Sequence, residues 1–504
     1  MSNAADSETV TLAKADYEAL LSGQQALQAA LLQSQEEIAR LAQQLINLRK
    51  QIYGQRSEKL DSNQLALFTN LPVAEKELED DQVPVAPHSR RHGGRKPLPA
   101  NLPRERREYL PEQRECSCCG TELSRIGEEI TEELDFIPAK LVVIEHVKVK
   151  LACSKCKNQG VLTAVLPLDV QPIERGRPGI GLIVYLMVSK YCDHLPLHRL
   201  EQMFAREGVE IARQRMWDWL EAIADQLQVL YKELLVQILS CHYLQADETT
   251  IKVQDDEKLH TGYFWAVHAP PNLVYYRFDS SRASEVPQKL FEHYRGFVQT
   301  DLYAGYNPIY LPGDCKRIGC FAHVRRKLIE AGASSNKDAN QILKIISELY
   351  AVERAAAKLT PEERFERRQT KALPLLDKCF EKFRGLNERL LPQHPLKGAT
   401  EYALKQECEL RRYAEDGNFQ IDNNAIERQM RPIALGRKNY LFAGSDTGAN
   451  VAAIFYSLIN SCKLNGVNPS DYLNDVIRRL PSHPKDQLVE LLPHRWKPLD
   501  RHAN

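Results

Sequence analysis

His242-Tyr-Leu-Gln-Ala-Asp-Glu-Thr-Thr-Ile-Lys-Val253 alternates with period two and carries β-branched and aromatic side chains, which is the pattern of a strand. Working outward, Tyr263–His268 and Leu273–Asp279 repeat it, so three consecutive strands are expected. A helix over Ala283–Tyr294 leads to a fourth strand at Phe297–Asp301. Arg317–Phe321 gives a short fifth strand before a long helical region. Two acids mark this run, Asp247 within the first strand and Asp301 at the end of the fourth. Each precedes residues that turn the chain, Thr249-Thr250 and Tyr303-Ala304-Gly305.

The order βββαββα is the one an RNase H-like domain gives, and in that fold Asp247 and Asp301 occupy adjacent central strands. A third acid must arrive on a later helix. Glu427 is the candidate, within Ile421-Asp-Asn-Asn-Ala-Ile-Glu-Arg-Gln-Met-Arg431, and Asp422 is the next. Three convergent carboxylates can hold two Mg²⁺ ions about 3.5–4 Å apart, one activating the attacking oxygen and one stabilising the leaving oxygen. Mg²⁺ suits such a site because it takes hard oxygen ligands and keeps exchangeable waters. Arg428, Arg431, Arg437 and Lys438 surround Glu427 and are candidate phosphate contacts. Plainer readings stand beside this one. Glu427 could be the N3 partner of a capping box begun by Asn424. Asp247 and Asp301 could be ordinary strand-end acids, as could Asp255, Asp256, Asp279 or Asp314. The 125 residues between Asp301 and Glu427 exceed a minimal core, so the helical, highly charged stretch Val324–Arg412 reads as an insertion.

Upstream, Gly181–Lys190, Leu197–Glu207 and Arg213–Leu239 read as helices, the last with Trp217, Leu220, Ile223, Leu227, Leu230 and Leu234 at helical spacing. They suit a helix-turn-helix and a plain bundle equally. Further back, Cys116-Ser-Cys-Cys119 and Cys153-Ser-Lys-Cys156 are two C-x2-C knuckles separated by 33 residues. Such knuckles point two sulfurs the same way, so four thiolates can converge on one structural Zn²⁺. A strand over Val142–Ala152 between them, with Val147, Val149 and Leu151 alternating against Lys148 and Lys150, makes the unit zinc-ribbon-like. Redox dithiols are the weaker alternative, and Cys118 could replace Cys119 only with worse loop geometry.

Nearest the start, Leu20, Gln24, Leu27, Leu31, Ser34, Ile38, Leu41, Leu45, Leu48 and Ile52 step alternately by four and three. Eight of these ten are apolar, so a narrow coiled-coil seam is expected to find a partner strand. An acidic run (Glu75, Glu77, Glu79, Asp80, Asp81) and Pro84, Pro87, Pro97, Pro99 and Pro103 follow, a composition that buries too little apolar surface to order itself. Within it, Arg90, Arg91, Arg95 and Lys96 form a basic arm of the kind that enters a narrow minor groove. A solvated basic linker fits the charge equally well.

Composition sets the outer bounds. The chain has 504 residues, which suggests about three domains. It is 43% hydrophobic and 27% charged, which excludes a fibre or a wholly disordered chain. Sixty-seven basic residues balance 67 acidic ones, so a uniformly basic protein is excluded while local basic patches are not. The longest apolar run, Gly179–Val188, is half the roughly 20 residues of a membrane span, so no membrane association is expected. The start, MSNAADSETV, has no secretory pattern. The 12 cysteines are therefore expected in a reducing compartment, where paired Cys are more often metal ligands.

Taken together, these motifs resemble the catalytic transposase of the insertion sequence 66 family, a bacterial DDE transposase group. The resemblance runs over nearly the whole chain. It includes Tyr53-Gly-Gln-Arg-Ser-Glu-Lys59, Gly94-Arg-Lys-Pro-Leu-Pro99, the paired knuckles and Ser189-Lys-Tyr-Cys-Asp-His-Leu-Pro-Leu-His-Arg199. It continues through Ala246-Asp-Glu-Thr249, Thr300-Asp-Leu-Tyr-Ala-Gly-Tyr306, Gly319-Cys-Phe-Ala-His-Val-Arg-Arg326, Asp422-Asn-Asn-Ala-Ile-Glu427 and Gly436-Arg-Lys-Asn439. Asn465-Gly-Val-Asn-Pro469 and Leu491-Leu-Pro493 resemble the family's C-terminal segment. Tyr53 and Gln55 stand where the family usually has Phe and Arg, and Ser117 where it often has Pro, none of them at an acid.

The resemblance implies catalytic acids at Asp247, Asp301 and Glu427 with Mg²⁺ or Mn²⁺, and Zn²⁺ ligands at Cys116, Cys119, Cys153 and Cys156. His323 and Arg326 join the candidate DNA contacts. The implied reaction is hydrolysis at the element's end to free a 3′-OH, then in-line attack of that hydroxyl on target DNA. Implied partners are double-stranded DNA at the element ends and target, a second copy through the coiled coil, and accessory proteins of the same element. The implied location is bacterial cytoplasm, with the nucleoid. An idle DNA-binding accessory protein and an RNase H-like nuclease that cuts without joining are the alternatives.

The fold class expected is multidomain α+β and α/β. A coiled coil spans 16–53, a linker with the basic arm 54–110, and a zinc-ribbon-like domain 111–165. A helical region follows at 175–240. The RNase H-like core occupies 241–330 and 416–464 around a helical insertion at 331–415, and a C-terminal segment spans 465–504.

Overall fold

The computed structural model describes residues 22–23, 141–152, 161–163, 173, 178–255, 258–332 and 336–499. The chain divides into two units, Met1–Glu79 and Asp80–Asn504, and every element below belongs to the second. The heptad seam, the basic arm and the four knuckle cysteines lie outside the described residues.

Five strands form one mixed sheet, β3 (Tyr243–Asp255), β4 (Lys258–Ala269), β5 (Leu273–Asp279), β6 (Gly296–Gln299) and β7 (Cys315–Ile318), in spatial order β5-β4-β3-β6-β7. The first three make antiparallel pairs, from Gln245↔His268 to Asp255↔Lys258 and from Tyr263↔Asp279 to Ala269↔Leu273. The last two add in parallel on the other side of β3. Parallel strands need a crossover; α4 (Glu285–Leu290) lies on the one from β5 to β6 and α5 (Asn307–Tyr310) on the one from β6 to β7. The expected fifth strand is displaced. Strand β7 ends at Ile318, because Phe321 already begins helix α6 (Phe321–Glu330) and is fully buried there.

The helical segment before the sheet is a packing layer. It consists of α1 (Ile180–Tyr191), α2 (Leu197–Arg206) and α3 (Arg213–Leu239). Met216, Leu220, Ile223, Leu227, Leu230, Leu234 and Ile238 of α3 are all fully buried. Tyr231 stacks on Tyr275 at 4.5 Å and its hydroxyl donates to the Tyr276 carbonyl at 2.6 Å, fastening α3 to β5. The outer edge of β5 is closed from another side by α13 (Asp446–Leu464). Ser461 and Ser457 accept the Val274 and Tyr276 N–H groups at 3.1 and 2.9 Å, so an edge strand has no free ladder where α13 covers it.

Between β7 and the last helices, α7 (Lys337–Ala355), α9 (Leu373–Arg389), α10 (Pro395–Leu404) and α11 (Glu407–Arg411) build a second hydrophobic core, with the short α8 (Pro361–Arg367) outside it. Ile342, Ile346, Leu349, Leu376, Phe380 and Phe383 fill it. A single π turn, Arg368–Ala372, carries the buried Arg368. Its guanidinium meets Glu353 at 2.6 Å and the Tyr413, Asp416 and Phe419 carbonyls at 2.6–2.8 Å, so every direction is satisfied. The chain then returns to the sheet as α12 (Asn424–Tyr440), and α14 (Pro469–Arg479) follows α13.

Near the start of the described region, β1 (Lys150–Ala152) pairs antiparallel with β2 (Val161–Thr163). The expected strand over Val142–Ala152 is thus cut to its last three residues. A strand persists only where it has a partner, and the described partner runs for three residues; Val142, Val143 and Val147 upstream are exposed.

Candidate active site

Strand pairing that ends two residues short of each, and the charge of one on the other, mark the first two acids as neighbours. In the parallel pair, Gln245 lies opposite Gln299, and two residues further on come Asp247 and Asp301. Alternation keeps 245 and 247 on one face, and neighbouring strands lie about 4.8 Å apart. The face is fixed by contact, because Gln245 Nε2 donates to Gln299 Oε1 at 2.9 Å. Beyond Gln299 strand β6 ends, so the edge of β3 that carries Asp247 opens into a gap.

Helix α12 fills that gap, held by a buried polar network. Gln245 Oε1 accepts the Ile426 N–H at 3.1 Å, and Gln245 Nε2 reaches the Asp422 carbonyl at 3.0 Å. Gln299 Nε2 donates to the Gly319 and Gln420 carbonyls at 2.8 and 2.9 Å, and Tyr243 donates its hydroxyl to Gln299 Oε1 at 2.5 Å. Both glutamines are fully buried, where an unmatched amide would cost about 1–3 kcal/mol. The helix start is therefore locked onto the two strands bearing the acids, with Glu427 in its first turn.

The capping-box alternative fails on geometry. Asn423 is the N-cap and makes no side-chain cap bond. Glu427 does not reach back to it. Its carboxylate instead pairs with Arg326 Nη2 at 3.1 Å and with His323 Nε2 at 3.5 Å, both from α6. Asp422 is closed off. It takes the Tyr350 hydroxyl at 2.7 Å and the Asn424 N–H and amide at 3.1 and 2.9 Å, an acid spent on starting the helix.

Electrostatics single out Asp247. Its carboxyl retains some surface but is ringed by protein, and desolvation raises its pKa well above the usual range. Glu248, Glu427 and Asp301 push it further the same way, while the Glu248 N–H opposes them. The acids therefore feel one another's charge. His323 is pulled down chiefly by burial, against the pull of Glu427, and its Nδ1 is buried without a partner. Among the described residues no three His, Cys, Asp or Glu side chains are gathered closely enough to form a finished metal cage. The donor chemistry nevertheless fits a hard cation, since Asp247 and Asp301 offer carboxylate oxygens whose mutual repulsion a cation would relieve.

The loop after Asp301 is pinned by residues that sequence reading passed over. Asp301 Oδ1 accepts the Tyr303 N–H at 2.9 Å. Arg282 lies 4.0 Å over the Tyr303 ring and bonds Glu248 at 2.6 Å, and Tyr306 donates to the same carboxylate at 2.9 Å. One signal for the glutamines was present: Gln245-Ala-Asp247 and Gln299-Thr-Asp301 repeat one spacing on two strands. Tyr306 stood in the quoted Thr300–Tyr306 motif without a role, and nothing local marked Arg282.

Of the other expected contacts, Arg437 donates to Thr249 Oγ1 at 3.1 Å and to the Thr250 carbonyl at 2.6 Å, tying α12 to β3. Arg428 acts electrostatically on Asp422 and His268. Arg431 and Lys438 are exposed. Asp279 and Asp314 pair with Arg277 and Arg295 at 3.8 and 3.6 Å, away from the acids.

With this geometry in place, similarity to known proteins defines the class. Residues 175–451 match the model of the transposase IS66 family, residues 113–157 the zinc-finger binding domain of transposase IS66, and residues 457–494 the IS66 C-terminal element. Residues 40–107 match a model described as transposase C of IS166 homeodomain, a range that overlaps the end of the heptad and the expected linker. The class is transposase. The chain belongs to the IS66 transposase family. It is similar along most of its length to uncharacterized proteins of Sinorhizobium fredii (strain NBRC 101917 / NGR234). The protein y4hP is 32% identical over 91% of this chain and 89% of its own, and y4jD is 31% identical over 93% and 97%. Among the described residues no helix is long and apolar enough to cross a membrane.

Proposed function

We propose that this chain is a DDE transposase whose catalytic acids are Asp247, Asp301 and Glu427. The observation that carries the reading is that the charges of Glu427 and Asp301 both act on Asp247, where the β3–β6 pairing ends two residues before each aspartate. The strand order β5-β4-β3-β6-β7 supports an RNase H-like core over 241–330 and 416–464, interrupted by the helical insertion at 331–415. The three carboxylates would hold Mg²⁺ or Mn²⁺; when bound, such cations supply an activated water and neutralise the leaving oxygen. Arg326 and His323 hold the Glu427 carboxylate beside the other two acids. Water attacks phosphorus at the element's end as the P–O3′ bond breaks and the departing O3′ takes up a proton; the freed 3′-OH then loses its proton and attacks a target phosphorus as the target's P–O3′ bond breaks and releases a target 3′-OH.

The remaining parts serve DNA. Cys116, Cys119, Cys153 and Cys156 all fall within the matched zinc-finger range and are assigned to one structural Zn²⁺. Arg90, Arg91, Arg95 and Lys96, with Arg428, Arg431, Arg437 and Lys438, are assigned to phosphates. The Leu20–Ile52 heptad pairs two copies, which couples two element ends, and accessory proteins of the same element join them.

Glu427→Gln tests the reading, because it removes a ligand charge and keeps the shape. With labelled element ends in Mg²⁺, the variant is expected to bind DNA as the parent does. Nicking and joining should both fall by about three orders of magnitude or more. Parent-like nicking by the variant would remove Glu427 from the site. Nicking without joining by the parent would make the protein a nuclease.

A further inference from the structure

A second site lies at the other end of α12. Lys190, Arg213, Trp217, Phe264, Tyr440 and Phe442 line a cleft of about 600 Å³, within the range of small-molecule sites. Three features of it stand apart from core packing. Its cations are Lys190, whose ammonium lies 5.1 Å from the Tyr440 ring centroid and 5.5 Å from that of Tyr191, and the exposed Arg213, whose Nε pairs with Glu201 at 3.2 Å and leaves the rest of the guanidinium facing solvent. Among the described residues no carboxylate pairs with Lys190, and burial pulls its pKa down to about 8. Phe264 is buried, whereas Trp217 and Tyr440 are half-buried and Phe442 is exposed, so these three rings keep some surface for a flat ligand.

At its mouth the chain is strained. Leu441 has φ 65° and ψ −47°, and the Phe442 N–H donates to the Tyr440 carbonyl at 2.7 Å, which is a γ-turn of the rare hand. A leucine rarely adopts positive φ. The turn is clamped from both sides. Leu441 N–H donates to the Arg437 carbonyl at 3.0 Å, and Ala443 exchanges bonds with Lys252 and Gln254 of β3 at 2.8 and 2.9 Å. The strain displays two apolar side chains, Leu441 at 67% exposure and Phe442 at 37%.

Exposed apolar wedges beside an aromatic, cationic cleft have a counterpart in DNA chemistry. Apolar side chains enter base steps and unstack them, and an extruded base is held by stacking on aromatic rings. We propose that this cleft receives one DNA base turned out of the stack, with Leu441 and Phe442 filling the gap it leaves and Lys190 and Arg213 meeting its phosphates. Phe442 lies at the boundary and both wedges and stacks. The proposal rests on the DNA-transposase reading and sets a distance. Tyr440 is 13 residues beyond Glu427 on one helix, about 20 Å, and Ile251 at the cleft is four residues beyond Asp247, about 13 Å. At 3.4 Å per base pair, the turned-out base sits about four to six pairs from the cut.

The test uses the full chain without Mg²⁺ and two short duplexes, one fully paired and one with a single unpaired 5-iodouracil. An unpaired base escapes the unstacking cost, so the bulged duplex is expected to bind about tenfold tighter. Trp217→Ala and Lys190→Gln should each abolish that preference while retaining binding to the paired duplex. Irradiation of the parent protein, which needs no variant to fold, should crosslink the iodouracil to Trp217, Tyr440 or Phe442. Equal affinity for both duplexes, or crosslinks outside the cleft, would overturn the cleft assignment and leave the catalytic reading intact. Binding to neither duplex would overturn both.

Discussion

The carboxyl of Asp247 has acidic neighbours on three sides and little water, which is a poor place for a negative charge. Its pKa is raised in the folded chain, so the sign of its effect on stability is fixed. Below about pH 4 it is protonated in both folded and unfolded chains and costs nothing. As pH rises toward the raised folded value, the unfolded chain ionises first and stability drains away. Asp247→Asn should therefore melt at a higher temperature than the parent near pH 8, with the gap closing toward pH 4. Adding Mg²⁺ should raise the parent's melting temperature and leave the variant's unchanged. Equal melting curves at all pH values would mean that Asp247 is not strained by its neighbours. The strands that carry Asp247 and lead to Asp301 were legible from their alternation, but the turn expected at Thr249-Thr250 is absent, because both residues pair with Phe264 and Tyr263 and β3 runs on to Asp255. The partners of the acids were not legible. Arg326 and His323 lie about a hundred residues from Glu427, and no local pattern reports an ion pair of that span.

Among elements, the decisive joint is between α12 and the strands β3 and β6. Gln245 spans it, with the Ile426 N–H on one side and Gln299 on the other. Gln245→Leu would leave several buried donors and acceptors unmatched, and is expected to destabilise the protein by about 2–5 kcal/mol. The backbone amide of Ile426 should also exchange with solvent far faster than in the parent. Measured by denaturant unfolding and hydrogen exchange, unchanged protection at Ile426 would show that the helix is held by its apolar face alone. Elements with strong periodicity were read closely. Leu273–Asp279 and Arg213–Leu239 agree with the sequence reading at both ends. The helix expected over Ala283–Tyr294 shrinks to Glu285–Leu290, because Tyr294 turns away to donate its hydroxyl to the His242 carbonyl at 2.9 Å. Closure of the β5 edge by Ser457 and Ser461 could not be read from sequence at all, since it depends on where a helix 180 residues away comes to lie.

For the whole molecule, the helical character of the long gap between Asp301 and Glu427 was legible, and its helices share a second core with Tyr243, Ile318 and Phe321. The way it rejoins the sheet was not legible. Arg368 binds the returning residues at Tyr413, Asp416 and Phe419, so the insertion helps set where α12 begins. On the proposed reading, the sheet, the helices after β7 and the return segment serve to bring the acids at 247, 301 and 427 to one metal centre. The most direct test replaces Mg²⁺ with Fe²⁺ in the full chain and adds ascorbate and peroxide, so that radicals formed at the bound metal cut the nearest peptide bonds. The account predicts three clusters of breaks, near Asp247, Asp301 and Glu427, all suppressed by excess Mg²⁺. A pattern that lacks any one of the three, or that Mg²⁺ does not suppress, would contradict a shared metal centre.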